Sequence, residues 1–362
     1  MKRLLLPRQP YFLNMSITSL EELQKHIRLT AQELSWKEGP LSVPLRITDH
    51  YLNLIDPDDP SDPLRRQVVP TCSENTVDEG ESSDPLEEVG HSHGERLVHR
   101  YANRVAFLAT DICPMYCRHC FRRRFTGNMT GPATEEDILS AASYLEANPQ
   151  IREMLLTGGD PLTLSDSRLD HMVGKFRKAS PNLIIRICTR YPVSQPERIT
   201  KDLVDMFRSH GSAPFYLMTQ FNHPRELTPE SIRAVSLFVD AGIPAMNQTV
   251  LLRGINDSAD VLEELCNSLL FNRIKPYYLF QGDMVSGTAA FRVPLARGME
   301  IESELRRRLS GLAMPNYTAD LPDGGGKIPL CGSYQVSRDT KKGSWTFRTP
   351  DGETRVITDP QS

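Results

Sequence analysis

Three thiols fall within eight residues, Cys113-Pro-Met-Tyr-Cys117-Arg-His-Cys120, and the run Phe121-Arg122-Arg123-Arg124 follows at once. Thiolates bind iron–sulfur clusters, and three of them leave one iron of a four-iron cluster open to an exogenous ligand. A zinc knuckle completed by His119 is the competing chemistry. Two further stretches hold reactive residue types. Leu155-Leu-Thr-Gly158-Gly159-Asp160-Pro161 is a turn that could also let backbone groups approach a ligand closely, with a carboxylate able to take an ammonium. Asp323-Gly-Gly-Gly-Lys327 sets a primary amine beside residues without side-chain bulk, which suits a planar cofactor. It lacks the spacing and the following hydroxyl of a Walker phosphate loop. His91 and His93 read as solvated loop side chains, with a metal as the rival reading.

The elements around these stretches alternate from Arg104 onward. The expected strands are Val105–Ala109, Met154–Thr157, Ile184–Cys188, Phe215–Thr219, Ala245–Val250 and Lys275–Leu279. The expected helices are Glu135–Ala147, Ser165–Lys178, Ile199–Ser209, Pro229–Ala241 and Ala259–Leu270. About six strand–helix units imply right-handed crossovers onto a parallel sheet, an α/β fold with a partial, open barrel short of the eight units of a closed one. Ligands gather at the carboxyl ends of such strands, where the cysteine and Gly-Gly-Asp stretches lie. Upstream, residues 16–38 read as a helix capped by Ser19, with Glu22 completing a capping box. Pro40 to Pro70 is too rich in Pro and Asp for one regular element, and Cys72 to Glu95, acidic and poor in large apolar residues, reads as a loop or linker. Three segments follow: 1–98 as an N-terminal helical and irregular extension, 99–300 as the partial barrel, and 301–362 as an irregular or β segment carrying Lys327.

With 39% hydrophobic and 24% charged residues in 362, the chain suits a soluble protein whose core needs no disulfides. A net charge of −4 gives no field for nucleic acid, and no stretch approaches a membrane span. Seven cysteines, three clustered and four scattered, fit reduced thiols and a cytoplasmic protein. The short basic–apolar N-terminus is not a signal peptide, and Met15 is an alternative start to Met1.

The CxxxCxxC spacing, with an aromatic before the second cysteine, resembles the radical S-adenosylmethionine superfamily. The wider string Thr110-Asp-Ile-Cys-Pro-Met-Tyr-Cys-Arg-His-Cys-Phe-Arg-Arg-Arg124 resembles its lysine 2,3-aminomutase branch, over about Leu41 to Asp359. The resemblance implies a [4Fe-4S] cluster on Cys113, Cys117 and Cys120, and S-adenosylmethionine near Gly158, Gly159, Asp160, His119 and Gln248. It implies pyridoxal 5′-phosphate carried by Lys327, with Arg100, Tyr101 and Arg104 around its phosphate; arginine forks suit that anion. Arg122 matches the arginine that takes the substrate carboxylate, and Asp283 and Asp320 match the pair that holds the ε-ammonium of lysine. The implied activity is a 2,3-aminomutase giving β-lysine, served by a reductant such as flavodoxin or ferredoxin.

The sequence also departs from that family. Gln220 stands where a histidine is usual, and Phe280 where a tyrosine is common. Ser258 occupies the position of a zinc ligand, and the C-terminal cysteine cluster of longer relatives is missing. Structural zinc is therefore not expected, a homo-oligomer is left open, and Cys266 and Cys331 read as plain core or shell thiols. The rival functions are an aminomutase of glutamate, arginine or ornithine, a lysine-modifying enzyme serving a translation factor, and a zinc-binding module. The Gly324–Lys327 run argues for the classical aminomutase over the lysine-modifying enzyme.

Overall fold

The computed structural model describes residues 16–39, 42–128, 130–321, 325–332, 334–340, 343–349 and 351–358. Met1, Met15, Leu41, Asp323, Gly324 and Asp359 lie outside them. One sheet of ten strands dominates: β1 (Ser92–His93), β2 (Leu97–Tyr101), β3 (Arg104–Thr110), β4 (Glu153–Gly158), β5 (Ile184–Cys188), β6 (Phe215–Thr219), β7 (Ala245–Leu251), β8 (Ile274–Gln281), β9 (Asn316–Leu321) and β10 (Gly326–Pro329). Among the described residues, neighbours in sequence are neighbours in the sheet throughout, and the sheet does not close. β3 to β9 are parallel, while β1, β2 and β10 add antiparallel edges. Strands of the sheet thus come from both sides of residues 98/99 and 300/301.

The crossover helices are α1 (Glu135–Ala147), α2 (Asp166–Ala179), α3 (Lys201–Ser209), α4 (Pro229–Asp240), α5 (Ala259–Phe271) and α6 (Leu295–Arg308). Each of the first five starts at a Ser or Thr whose hydroxyl accepts a free backbone N–H: Thr134, Ser165, Thr200, Thr228 and Ser258. Ser258 is thus explained as a helix cap. The six expected strand–helix units are present. The sequence reading stopped short of α6 and of the seventh parallel strand, β9.

Strand pleating decides which side chains meet a ligand. In β4, Met154 and Leu156 are fully buried in the core, whereas Leu155 and Thr157 face the concave side. Arg186 and Cys188, Gln248 and Val250, and Tyr278 and Phe280 follow the same alternation on β5, β7 and β8. These residues line a cavity of about 370 Å³.

Two N-terminal expectations are corrected. Residues 16–38 hold two short helices, Leu20–Leu23 and Ala31–Leu34, rather than one. Between them the Arg28 N–H donates to the Pro57 carbonyl, 3.1 Å, and the Arg28 carbonyl accepts from Arg65, 2.7 Å. Ser19 caps the Glu22 N–H, but the Glu22 carboxylate accepts from Thr18, so the capping box is at Thr30 and Glu33 instead. The acidic stretch 72–95 is not a linker. It lies against the barrel mouth, pairing Ser82 with Val285, and its carboxylates meet arginines: Glu74 with Arg118 and Arg123, Glu81 with Arg292, Asp84 with Arg124, and Glu88 with Arg122 and Arg124. Charge pairs do there what apolar side chains do elsewhere.

Candidate active site

The cysteine loop leaves β3 and is held by buried polar groups. The Asp111 carboxylate accepts the Thr130 and Gly131 N–H groups at 2.8 and 2.9 Å. The fully buried Arg118 donates to Glu74 at 2.8 and 2.6 Å and to the carbonyls of Val43 and Pro44. Cys113, Cys117 and Cys120 come together on this loop at the cavity wall. Burial pushes the Cys113 thiol well up, with further upward pushes from Asp160, Cys120 and Cys117, and burial and Cys117 push Cys120 up. Arg190 Nη1 donates to Cys117 Sγ at 2.7 Å, and Arg190 is anchored by Gln67 and Glu226 at 2.6 and 2.7 Å. Among the described residues no three His, Cys, Asp or Glu side chains could hold a single metal ion. His119 Nε2 lies 3.3 Å from the Asn222 amide. Three thiols on one loop match the three protein ligands of a four-iron cluster with one open iron.

Gly158 and Gly159 serve a use the sequence did not reveal. A Cβ on Gly158 would collide with the Thr110 carbonyl oxygen, and one on Gly159 with that of Ile112. Gly158 also has φ +121°. The glycines thus seat the β4 loop against the cysteine loop, with the Asp160 N–H donating to the Ile112 carbonyl at 2.9 Å. The Asp160 carboxylate accepts from the Thr189 hydroxyl at 2.8 Å, the Arg190 N–H at 2.7 Å and the Leu162 N–H at 3.1 Å. Burial outweighs these bonds and pushes its pKa up to about 7. Both its oxygens accept bonds from neighbouring loops, and the residue also lines the cavity. His119, held neutral by burial and by Arg190 and Arg123, keeps Nδ1 without a partner among the described residues. Gln248 lines the same cavity.

At the other end β9 and β10 pair with Asp320 opposite Lys327, and Lys327 Nζ lies 2.6 Å from the Asp320 carboxylate. Arg100 Nη1 donates to the same carboxylate at 3.1 Å. Arg100 Nε and Nη2 and the Tyr101 hydroxyl are buried without hydrogen-bond partners among the described residues. Buried donors left this way cost ~1–3 kcal/mol each unless an acceptor fills the site. The Arg104 guanidinium stacks 3.7 Å from the Tyr101 ring centre, and Lys327 Nζ lies 5.4 Å from that of Phe280. An amine, aromatic rings and unpaired donors fit pyridoxal phosphate. Asp283 stands beside Asp320; burial and then the Asp320 charge push its pKa up to about 7.

Arg122 reaches the cavity between the two ends, paired with Glu88 at 2.6 Å and 3.2 Å from one carboxylate oxygen and donating to Thr157 at 3.3 Å. All fifteen residues singled out in the sequence thus line one cavity. Glu88, Thr157, Arg190 and the Gln67–Glu226 pair were missed. For Glu88 alone a signal existed: its stretch is acidic, and the cysteine motif is followed by three arginines. Of the His91–His93 pair, His93 Nε2 lies 3.1 Å from the Tyr144 hydroxyl, which also meets His99 Nδ1 at 2.8 Å. Cys266 is buried on α5 and Cys331 is exposed.

Residues 107–265 match the radical SAM superfamily. The chain is 44% identical to an L-lysine 2,3-aminomutase of Clostridium subterminale, over 90% of this chain and 78% of that one. It is 40% identical to an L-lysine 2,3-aminomutase of Fusobacterium nucleatum, over 96% and 81%. It is 39% identical to a glutamate 2,3-aminomutase of Clostridioides difficile, over 90% and 76%. Among solved structures, a radical SAM methyltransferase from Sphaerobacter thermophilus aligns with TM-score 0.46 and 19% identity, over 62% of this chain and 68% of that one.

Proposed function

This chain belongs to the lysine 2,3-aminomutase family of the radical SAM superfamily, and we propose that it moves the α-amino group of L-lysine to Cβ, giving β-lysine. It is an isomerase that works with a [4Fe-4S] cluster, S-adenosylmethionine and pyridoxal phosphate on a small amino acid. When bound, the cluster and S-adenosylmethionine supply a hydrogen-abstracting radical, and pyridoxal phosphate supplies the aldehyde that holds the migrating nitrogen.

The protein's own residues bind, orient and exclude water. Cys113, Cys117 and Cys120 hold the cluster, leaving room for the nucleotide between His119, Gln248 and the Gly158–Asp160 backbone. The Asp160 carboxylate acts by securing the Arg190 segment. Lys327 carries pyridoxal phosphate, whose phosphate takes the unpaired donors of Arg100 and Tyr101, with Arg104 beside them. Arg122 takes the substrate carboxylate. By role, residues 1–98 cap the mouth, 99–300 house the cluster and nucleotide, and 301–362 bring Lys327 and Asp320.

The observation that carries lysine as the substrate is the buried Asp283–Asp320 pair. Burial first and the Asp320 charge second disfavour an ionised Asp283, and an ε-ammonium set between the two carboxylates would offset both. A glutamate side chain would add a third negative charge. A soluble electron carrier such as flavodoxin or ferredoxin would serve as reductant in the cytoplasm, and the oligomeric state is left open. No helix among the described residues is long and apolar enough to cross a membrane, and the free thiols suit a reducing compartment.

Reconstituted enzyme, given dithionite, both small cofactors and lysine, glutamate, arginine or ornithine, should form β-lysine alone. Formation of another β-amino acid without β-lysine would overturn the substrate assignment.

A further inference from the structure

We propose that Glu88, on the acidic strap over the cavity mouth, is a positioning residue that fixes which edge of Arg122 the substrate carboxylate can use; this rests on Arg122 as the carboxylate-binding group. A guanidinium has five N–H donors in one plane. Glu88 takes one edge: Arg122 Nε lies 3.2 and 3.0 Å from its two oxygens, and Nη2 lies 2.6 Å from the first. Thr157, on β4, accepts from Nη1 at 3.3 Å. Glu88 spans the Nε–Nη2 side, so one N–H of Nη2, on the end of the fork, and one N–H of Nη1 remain without a hydrogen-bond partner among the described residues. A carboxylate can dock there bidentately while Glu88 keeps its own contact.

Glu88 is itself held in place. The Asp84 carboxylate accepts the Glu88 and Val89 N–H groups at 3.1 and 2.9 Å and pairs with Arg124 Nε at 3.1 Å. Arg124 Nη2 reaches Glu88 at 3.3 Å. The strap is fastened to the loop of Asp283, with the Ser82 N–H donating to the Met284 carbonyl at 2.9 Å and the Ser286 N–H to the Ser82 carbonyl at 3.1 Å. Burial works against a charged Glu88, but Arg122 and Arg124 outweigh it and keep the carboxyl below its ordinary range. A fixed anion on one side of a buried arginine leaves one approach for a second anion.

Removing Glu88 has two opposed effects. It frees the Arg122 charge, which favours any carboxylate, and it frees the Arg122 rotamer, so that the carboxylate can dock on the wrong edge. The inference therefore predicts a split between affinity and rate. In the reconstituted holoenzyme, Glu88→Ala should bind lysine as tightly as wild type or more tightly, read from the absorbance of bound pyridoxal phosphate. Its kcat should fall by about ten- to a hundredfold, the effect of misplacing a substrate by about 1 Å. Lysinamide, which lacks the carboxylate, should bind both proteins within about twofold. Glu88→Gln, which keeps an acceptor for the Nε edge, should recover part of the rate.

Parallel loss of affinity and rate, or equal weakening of lysine and lysinamide, would mark a merely structural role and overturn the inference. So would an unchanged kcat. Arg122→Gln separates the premise from the proposal. Loss of acid-over-amide discrimination in Arg122→Gln, without the split in Glu88→Ala, sinks the Glu88 role alone. Retained discrimination in Arg122→Gln sinks the Arg122 reading and the inference with it. If wild type turns over a different amino acid, the same comparison with that acid and its amide tests Glu88 while the lysine assignment fails.

Discussion

Around the three cysteines, Asp111, Asp160 and Arg118 are committed to fixed partners although His119 Nδ1, the Tyr116 hydroxyl and Arg123 Nε have none among the described residues; around Lys327 the charged groups themselves are left open or share a partner. Asp111, Asp160 and Arg118 each make several internal hydrogen bonds, and those bonds join the cysteine loop, the β4 loop and the strap. By contrast Arg100 and Tyr101 keep buried unpaired donors, and Asp320 divides its charge between Arg100 and Lys327. The difference matches two tasks. A cluster needs thiols whose positions do not relax when the metal binds or changes charge, and rigid, satisfied networks provide that. A site that admits and releases an amino acid needs ionic partners that can be exchanged without unfolding anything. The Lys327–Asp320 contact is such a partner, since an incoming ε-ammonium can replace Lys327.

The comparison can be broken experimentally. The largest effect expected is from Lys327→Ala, which should lower aminomutase turnover by about a thousandfold or more while the iron content and cluster spectrum stay as in wild type. Loss of the cluster in that variant would mean that the two ends are not independent. At the cysteine end, Glu74→Gln removes a buried anion and leaves Arg118 and Arg123 facing each other. It should destabilise the fold by about 3 kcal/mol, seen as a lowered denaturant midpoint with reduced iron uptake. Midpoints equal to wild type would contradict a rigid cysteine end. Asp320→Asn should weaken lysine binding by about tenfold or more, the cost of losing one charged partner, and, since it leaves buried Arg100 without its anion, the unfolding midpoint should fall as well.

A pH series sharpens the same contrast. With its pKa raised to about 7, Asp283 is largely neutral at pH 6 and ionised at pH 8, whereas the substrate ammonium stays charged throughout. Lysine affinity should therefore rise by nearly tenfold from pH 6 to 8, and Asp283→Asn should flatten the profile. The stability sign is opposite: a carboxyl whose folded pKa is raised contributes stability below its unfolded pKa, and that contribution is lost as pH rises through about 7. Smallest of all, Phe280→Tyr should change kcat/KM for lysine by less than about threefold. A larger gain would show that the lost hydroxyl matters for rate.

Much of this molecule could be read locally. The strands at Ile184–Cys188 and Phe215–Thr219 and the helix Glu135–Ala147 have the bounds expected from apolar runs, alternation and caps. Misreadings fell where regularity comes from distant partners. The stretch 72–95 has too few large apolar residues to suggest packing, yet four of its carboxylates anchor it to arginines remote in sequence. The expected single helix over 16–38 is divided because the Arg28 backbone bonds to Pro57 and Arg65 instead.

The amino-acid sequence by itself determined the chemistry available: a CxxxCxxC thiol set, a glycine-flanked lysine, two aspartates and an alternating α/β order. These are legible because spacing along one loop and period along one element are local properties. Only the tertiary structure decided how those groups are used. It bonded the Asp160 carboxylate to neighbouring loops, made Gly158 and Gly159 a seat between two loops, and set Glu88 on one edge of Arg122. Hydrogen bonds and ion pairs are short-ranged, so which donor meets which acceptor depends on how remote segments pack, and no local pattern records that.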